Sequence, residues 1–299
     1  MSKEKQKIVQ AIPFMLPSIV GMMIFSFFPI LMATALSLTD WSGLEKFTIH
    51  TIPDHFVGFQ NYIRLLTHKE FWNTLLHVLY YIVLYIPLGF IFSMIIALIL
   101  HTDKKLTGVM RVLFYVPVLT SWVAASLIWK WVLSSQYGVI NSIIGIFGMK
   151  GPDWLTNRYW AMPGIVLASV WKDMGYYGLY IFRGLRGIDP TYYEAAKVDG
   201  AGKLRTLFSV TMPLLSPTLF YCLIMSLINA FQLFPQVLIM TEGGPNGATQ
   251  VMVERIYTYA FSYFKMGYAA AYSWLLFVII RILTLAQLKM QKVWVHYES

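Results

Sequence analysis

The chain has 299 residues, of which 58% are hydrophobic and only 12% charged, with a mean hydropathy of +0.60. That balance excludes an ordinary soluble domain, whose surface needs more charge than this. The net charge of +9 does not point to nucleic acid, because Lys and Arg sit between apolar runs and form no continuous basic face. The one cysteine, Cys222, excludes an intrachain disulfide and offers no cysteine-based metal site.

Uninterrupted apolar runs of about 20 residues or more suit a bilayer crossing. In chain order they predict helices near Ile12 to Leu38, Phe71 to Leu100, Val109 to Leu133, Ala161 to Phe182, Pro217 to Met240 and Ala269 to Lys289. The expectation is an all-α polytopic membrane protein in one domain of six spans, within membrane lipid. Trp41, Trp72, Trp129, Trp131, Trp160 and Trp294 flank these runs, where amphipathic rings favour the interface, and Pro29, Pro87 and Pro117 predict kinks.

Lys3, Lys5 and Lys7 ahead of an apolar run, with Ala33-Thr34-Ala35 further on, resemble a signal peptide and its cleavage site. The run is about twice the length of a signal core, so it is read as an uncleaved first span. With that N-terminus inside, the inner side collects Lys3, Lys5, Lys7, Lys104, Lys105, Arg111, Arg183, Arg186, Lys197, Lys203, Arg205, Lys289 and Lys292. The outer loops are longer and less basic, so the positive-inside rule places both termini in the cytoplasm of a cell with this chain in its cytoplasmic membrane.

Gly138 to Trp160, broken by Gly145, Gly148, Gly151 and Pro152, is too short to span and is expected to form an outer amphipathic piece. The fourth run carries Asp173, Tyr176, Tyr177 and Tyr180 on one helical face, beside Trp171 and Lys172. Tyrosine rings stack on pyranose faces and their hydroxyls hydrogen-bond. Lys172 and Asp173 are equally what a mutually neutralised pair would look like, and Arg281 in the last run implies a partner or a water-filled path.

Between the fourth and fifth runs lies a hydrophilic excursion, 183–216, read as helix, turn, helix. Asp189-Pro190 starts the first helix, Gly200 and Gly202 permit a tight reversal, and Pro213 and Pro217 are expected to close the excursion. Ala195, Ala196 and Ala201 are small enough for close backbone approach, and Glu194 and Asp199 offer acceptors. Gly200-Ala201-Gly202-Lys203 is no phosphate-binding loop: Lys197 stands where the first Gly is required and Leu204 where Ser or Thr is.

In the fifth run Ser226, Asn229, Gln232 and Gln236 fall within a third of the circumference of a regular helix, making one polar stripe. Hydroxyl and amide groups donate to and accept from sugar hydroxyls without burying a charge. Two helices hydrogen-bonded to one another would present the same stripe.

Glu194-Ala195-Ala196, Asp199-Gly200-Ala201, Phe208, Val210 and Pro213 stand in the order and spacing of the EAA loop, so the chain resembles the permeases of ABC importers. The first span, FVGFQNYIRLL, VWKDMGYYGLYIFRGL and the segment around Gly243-Gly244-Pro245 extend the resemblance to the maltose and glycerol-phosphate type permeases of the carbohydrate-uptake group, the last to the first permease of a pair. The resemblance implies a type I ABC importer permease fold, a second homologous permease, two cytoplasmic ATPase subunits that bind ATP and Mg, and an extracellular solute-binding protein received by 138–160 and 242–264. It also implies that Glu194 to Ala201 and Pro213 couple to the ATPase, and that Ser226 and Gln232 face a sugar. The chain itself is expected to be no enzyme and to hold no cofactor. A polyol or glycerol phosphate is an alternative cargo. An ion-coupled secondary transporter would need a relay of intramembrane acids, for which only Asp173 qualifies, and a membrane enzyme would need a constellation that the six histidines do not form.

Overall fold

A computed structural model describes residues 3–46, 52–102 and 107–295. Lys104 and Lys105, and the side chains of Lys3, Lys5 and Lys7, lie outside what it describes. Among the described residues regular structure is helical, and extended pairing is limited to an isolated bridge between Thr39 and Phe56. The main helices are α1 (Pro13–Ser37), α2 (Gln60–Thr67), α3 (Lys69–His101), α4 (Thr107–Leu119), α5 (Trp122–Val132), α6 (Val139–Ile146), α7 (Ala161–Gly187), α8 (Pro190–Val198), α9 (Lys203–Phe231), α10 (Pro235–Met240), α11 (Met252–Tyr257) and α12 (Met266–Trp294).

Four of these, α1, α3, α9 and α12, are long and apolar enough to cross a membrane, and α4 with α5 makes a fifth if that pair counts as one span. The expected fourth span, α7, has 27 residues, roughly 40 Å of helix at 1.5 Å per residue, but Lys172, Asp173 and its tyrosines lower its hydropathy. The expected third span is not straight: α4 and α5 meet at 99°. Pro117 lies in the last turn of α4, and Ser121 starts α5 by accepting from the Ala124 amide at 3.2 Å.

The fifth span differs from expectation at both ends. Pro213 and Pro217 do not close the preceding excursion; the helix runs from Lys203 through both to Phe231. A π-turn at Leu207–Thr211 comes immediately before the Met212-Pro213 step. Proline lacks an N–H and its ring collides with the carbonyl one turn back, and a locally widened turn accommodates that without ending the helix. The same device, a π-turn at Met23–Phe27, precedes Phe28-Pro29 in α1. At its other end α9 stops at Phe231, not Met240, because Pro235 excludes helical geometry at Phe234, whose φ is −149° and ψ −66°.

The chain forms two compact units, one from residues up to His68 together with Arg255–Phe277, the other from Lys69–Glu254 together with Val278 onward. In the larger unit α3 packs along α7. Close approach is set by small residues on α7: a Cβ at Gly175 would overlap the Phe114 carbonyl, and one at Gly178 would press on Ile96 and Ser93. Ser93 donates to the Met174 carbonyl at 3.1 Å across this contact. Ile96, Ala97, Leu100, Ile181, Leu185, Leu215 and Cys222 form the buried centre below it.

In the smaller unit the FVGFQNYIRLL segment closes the end of α1. Buried Asn61 donates to the carbonyls of Ser37 at 3.0 Å and Thr39 at 2.7 Å, and Tyr62 donates to Ser37 Oγ at 2.7 Å. A helix end leaves carbonyls without intrahelical donors, and Asn61 supplies them. We expect Asn61→Ala to destabilise the protein by about 1–3 kcal/mol, read as a lowered thermal midpoint in detergent. Asn61→Asp should do no better, since a carboxylate cannot donate.

His55 bonds Asp40 at 2.8 Å, and that hydrogen bond is the chief cause that raises its pKa from 6.5. A raised pKa in the folded state makes the contact's contribution complete below about pH 6.5 and lost as pH rises through the raised value. The thermal-midpoint difference between wild type and His55→Gln should therefore shrink between about pH 6 and pH 9.

Candidate functional site

The break after α9 and the bend between α4 and α5 open on one polar cavity of about 280 Å³. Tyr81 and Tyr85 of α3, Trp122 of α5, Asp173 of α7, Asn229 and Gln232 at the end of α9 and Gln236 of α10 line it. Because α9 ends at Phe231, Gln232 and Gln236 do not continue a single helical stripe; they reach the cavity from the break and from the next helix.

Tyr85 donates to Asp173 Oδ2 at 2.6 Å, and its ring stacks on Tyr81 with centroids 5.1 Å apart. Asn229 donates to the buried Tyr177 hydroxyl at 3.3 Å, which fixes the amide at the cavity wall. The Gln236 side-chain oxygen is buried and accepts no hydrogen bond from the described residues. An acceptor left so costs free energy until a donor reaches it.

Lys172 and Asp173 form no direct ion pair. Lys172 turns away, lies over the Trp122 ring at 5.1 Å and donates to the carbonyls of Pro117 and Val118 at 3.1 and 3.2 Å. It thus gives a donor to the Val118 carbonyl at the end of α4 and a second donor to that of Pro117, which also accepts from the Thr120 amide at 3.2 Å. Of the residues singled out from the sequence, Asp173, Asn229, Gln232 and Gln236 share the cavity. Tyr177 stands behind Asn229. Ser226 is buried and donates back to Leu223, and Tyr176 belongs to a separate cluster with Tyr180 and Tyr221. The sequence reading missed Tyr81, Tyr85 and Trp122. Tyr81 and Tyr85, four residues apart on one face of a largely apolar helix, were the available signal. Arg281 is exposed along α12 within this chain.

The second feature is the turn between α8 and α9. Asp189 caps α8, its Oδ1 accepting from the Thr191 amide at 2.9 Å and hydroxyl at 2.8 Å, and these bonds hold its carboxyl below the usual carboxylate range. At the other end the Ala201 amide donates to the Ala196 carbonyl at 2.9 Å and the Gly200 amide to Lys197 at 3.0 Å, with Gly200 at φ +69°. This is a Schellman closure, and the left-handed position is the reason for glycine. Glu194, Ala195, Asp199 and Gly200 face outward, Ala196 is buried beneath them and Ala201 half-buried. Pro213 lies within α9, away from this tip. Val198, Leu204 and Phe208 are exposed around the turn at 88%, 74% and 67%, far more than isolated apolar residues need be. Among the described residues no group of three or more His, Cys, Asp or Glu could hold a metal ion.

Residues 63–289 match the family described as the binding-protein-dependent transport system inner membrane component. The probable ABC transporter permease YesP of Bacillus subtilis is 34% identical over 96% of this chain and 91% of its own length. The trehalose/maltose transport permease MalF of Thermococcus litoralis is 33% identical over 84% and 85%, and the lactose transport permease LacF of Rhizobium radiobacter 30% over 92% and 91%. In structure the chain is similar to a chain of a bacterial ABC transporter that imports the acidic polysaccharide alginate, with a TM-score of 0.81, 21% identity and coverage of 97% of both.

The bend at α4 and α5 depends on one ammonium. Replacing Lys172 with Met removes both bonds, leaves the Pro117 carbonyl only its bond from the Thr120 amide, and should lower stability by about 1.5–3 kcal/mol, the range for hydrogen bonds to charged groups. A thermal midpoint in detergent and protease cleavage between 119 and 122 measure it.

Proposed function

The chain belongs to the family of inner-membrane components of binding-protein-dependent transport systems, and from that membership we propose that it is one permease of an ATP-driven importer for a neutral sugar or oligosaccharide. The observation that carries the cargo assignment is the cavity around Asp173, Asn229, Gln232 and Gln236. Three amides, two phenols and an indole match the mixed donors and acceptors of a polyhydroxylated ring, and aromatic faces suit its apolar side. The open acceptor on Gln236 takes a sugar hydroxyl. One carboxylate and no cation among the lining residues disfavour an anionic cargo such as glycerol phosphate. Curated relatives named for trehalose, maltose and lactose transport agree with this class.

In this reading a second, homologous permease completes the pathway. Two ATPase subunits bind ATP and Mg on the cytoplasmic side, and a solute-binding protein delivers cargo from outside, near 138–160 and 242–264. Both termini are cytoplasmic. The turn at Glu194 to Ala201 docks on one ATPase: the outward carboxylates of Glu194 and Asp199 accept hydrogen bonds, while Ala195 and Gly200 let the partner come close. Closure of the ATPases on nucleotide then moves α8 against α9, whose far end holds Asn229 and Gln232, so one helix links the energy source to the sugar contacts.

The test is ATP-dependent uptake of radiolabelled oligosaccharides into vesicles containing the whole complex. A Cβ at Gly200 meets nothing of this chain within 4 Å, but at φ +69° a side chain strains the turn itself, so Gly200→Asp perturbs both the turn and what docks on it. Uptake should fall to background while the subunits still co-purify; unchanged uptake would overturn the coupling assignment. Gln232→Ala should instead leave coupling intact and raise the half-saturating sugar concentration about fivefold, one hydrogen bond's worth.

A further inference from the structure

A second cleft, of about 570 Å³, lies between the ends of α3 and α7, helix α8 and the start of α9. It is distinct from the sugar cavity and from the outward tip of the turn. His101, Lys197 and Lys203 stand on its rim, and among the described residues no acidic side chain lines it. All three are exposed, and none is engaged by a carboxylate of the described chain. Below the rim the walls are hydrocarbon, with Leu98, Leu185 and Leu207.

The depth of this cleft is defined by the helices that end there. His101 is the last residue of α3 and Lys203 the first of α9, two helices of membrane-crossing length and hydropathy. The apolar run of α3 ends at His101, and the end of such a run lies at the boundary between hydrocarbon and water, the level of lipid phosphates, with Lys203 lining the same cleft. Unpaired cations at that level with apolar walls beside them match a phosphate and the glycerol and acyl carbons attached to it. A free inorganic anion would use the rim and leave the walls wet.

We propose that this cleft seats the headgroup of an anionic phospholipid, its phosphate held by Lys197, Lys203 and His101 and its first acyl carbons against Leu98 and Leu207. Lys197 is in α8 and Lys203 in α9, so the bound lipid clamps the two arms of the turn that carries Glu194 to Ala201. Anionic lipid thereby stiffens that turn. The proposal goes beyond the transport reading and needs only that α3 and α9 cross the membrane.

Native mass spectrometry of the full chain, purified with whatever subunits accompany it and presented with phosphatidylglycerol or phosphatidylcholine, tests this. Wild type should retain phosphatidylglycerol in preference, and Lys197→Gln with Lys203→Gln should bind it about 25-fold more weakly, from roughly fivefold for each lysine near a charged surface. Phosphatidylcholine retention should not change, and the Lys197→Arg, Lys203→Arg pair should keep the preference. No lipid preference in wild type, its persistence in the Gln pair, or its loss in the Arg pair would overturn the assignment. Displacement by inorganic phosphate as effective as by short-chain phosphatidylglycerol would also overturn it, in favour of a soluble anion. Loss of ATPase subunits with unchanged lipid adducts would assign the lysines to a protein contact instead. Sugar uptake is read separately, so either proposal can fail alone.

Discussion

Lys172 and Asp173 place two adjacent charges in the middle of a helix surrounded by other helices, and much of the larger unit follows from how each is satisfied. Neither charge is tolerable there without polar partners. The ammonium finds its partners in carbonyls that a straight helix would keep for itself, so α4 has to end where it does and α5 has to leave at a steep angle. The carboxylate finds a phenol on α3. One residue of the pair thus stabilises a bend and the other ties two helices together. Between them they hold open a polar space in an otherwise apolar chain.

The cavity depends equally on the break after Phe231. Had α9 continued, Gln232 and Gln236 would have shared a helical face with Ser226, and that stripe could have been absorbed in helix packing. The break separates them: Ser226 turns back on its own helix, while Gln232 and Gln236 approach the cavity from two directions. At its opposite end the same helix grows directly out of the exposed turn, with a π-turn carrying it past Pro213. A continuous helix between an exposed turn and a polar cavity is a mechanical connection, which is what the proposed coupling to an ATPase requires.

What the sequence revealed divides by the range of the interactions involved. The turn at Glu194 to Ala201 was legible almost residue by residue, because the Asp189 cap, Pro190 and the left-handed glycine act over a few residues. The apolar runs located most helices, since bilayer thickness sets their length. The breaks at 120–121 and 232–234 were hidden: hydropathy runs straight across both, and the first is stabilised by Lys172, more than fifty residues away. Pro235 was the overlooked sign of the second. Pro213 was misread as an end because proline usually is one, and a preceding π-turn has no sequence pattern of its own. Tyr81 and Tyr85 became part of the site only through Asp173, a pairing between distant segments that no local pattern encodes.

The central claim is that the cavity at the α9 break is where sugar passes. The native Cys222 is fully buried, so in a Gln232→Cys variant the labelling of this chain by a water-soluble maleimide, read on the separated subunit, would report on the cavity. We predict labelling in the assembled importer that slows when a transported oligosaccharide is present and not when a non-transported one is. Labelling at a rate indifferent to every sugar the complex takes up would contradict the account.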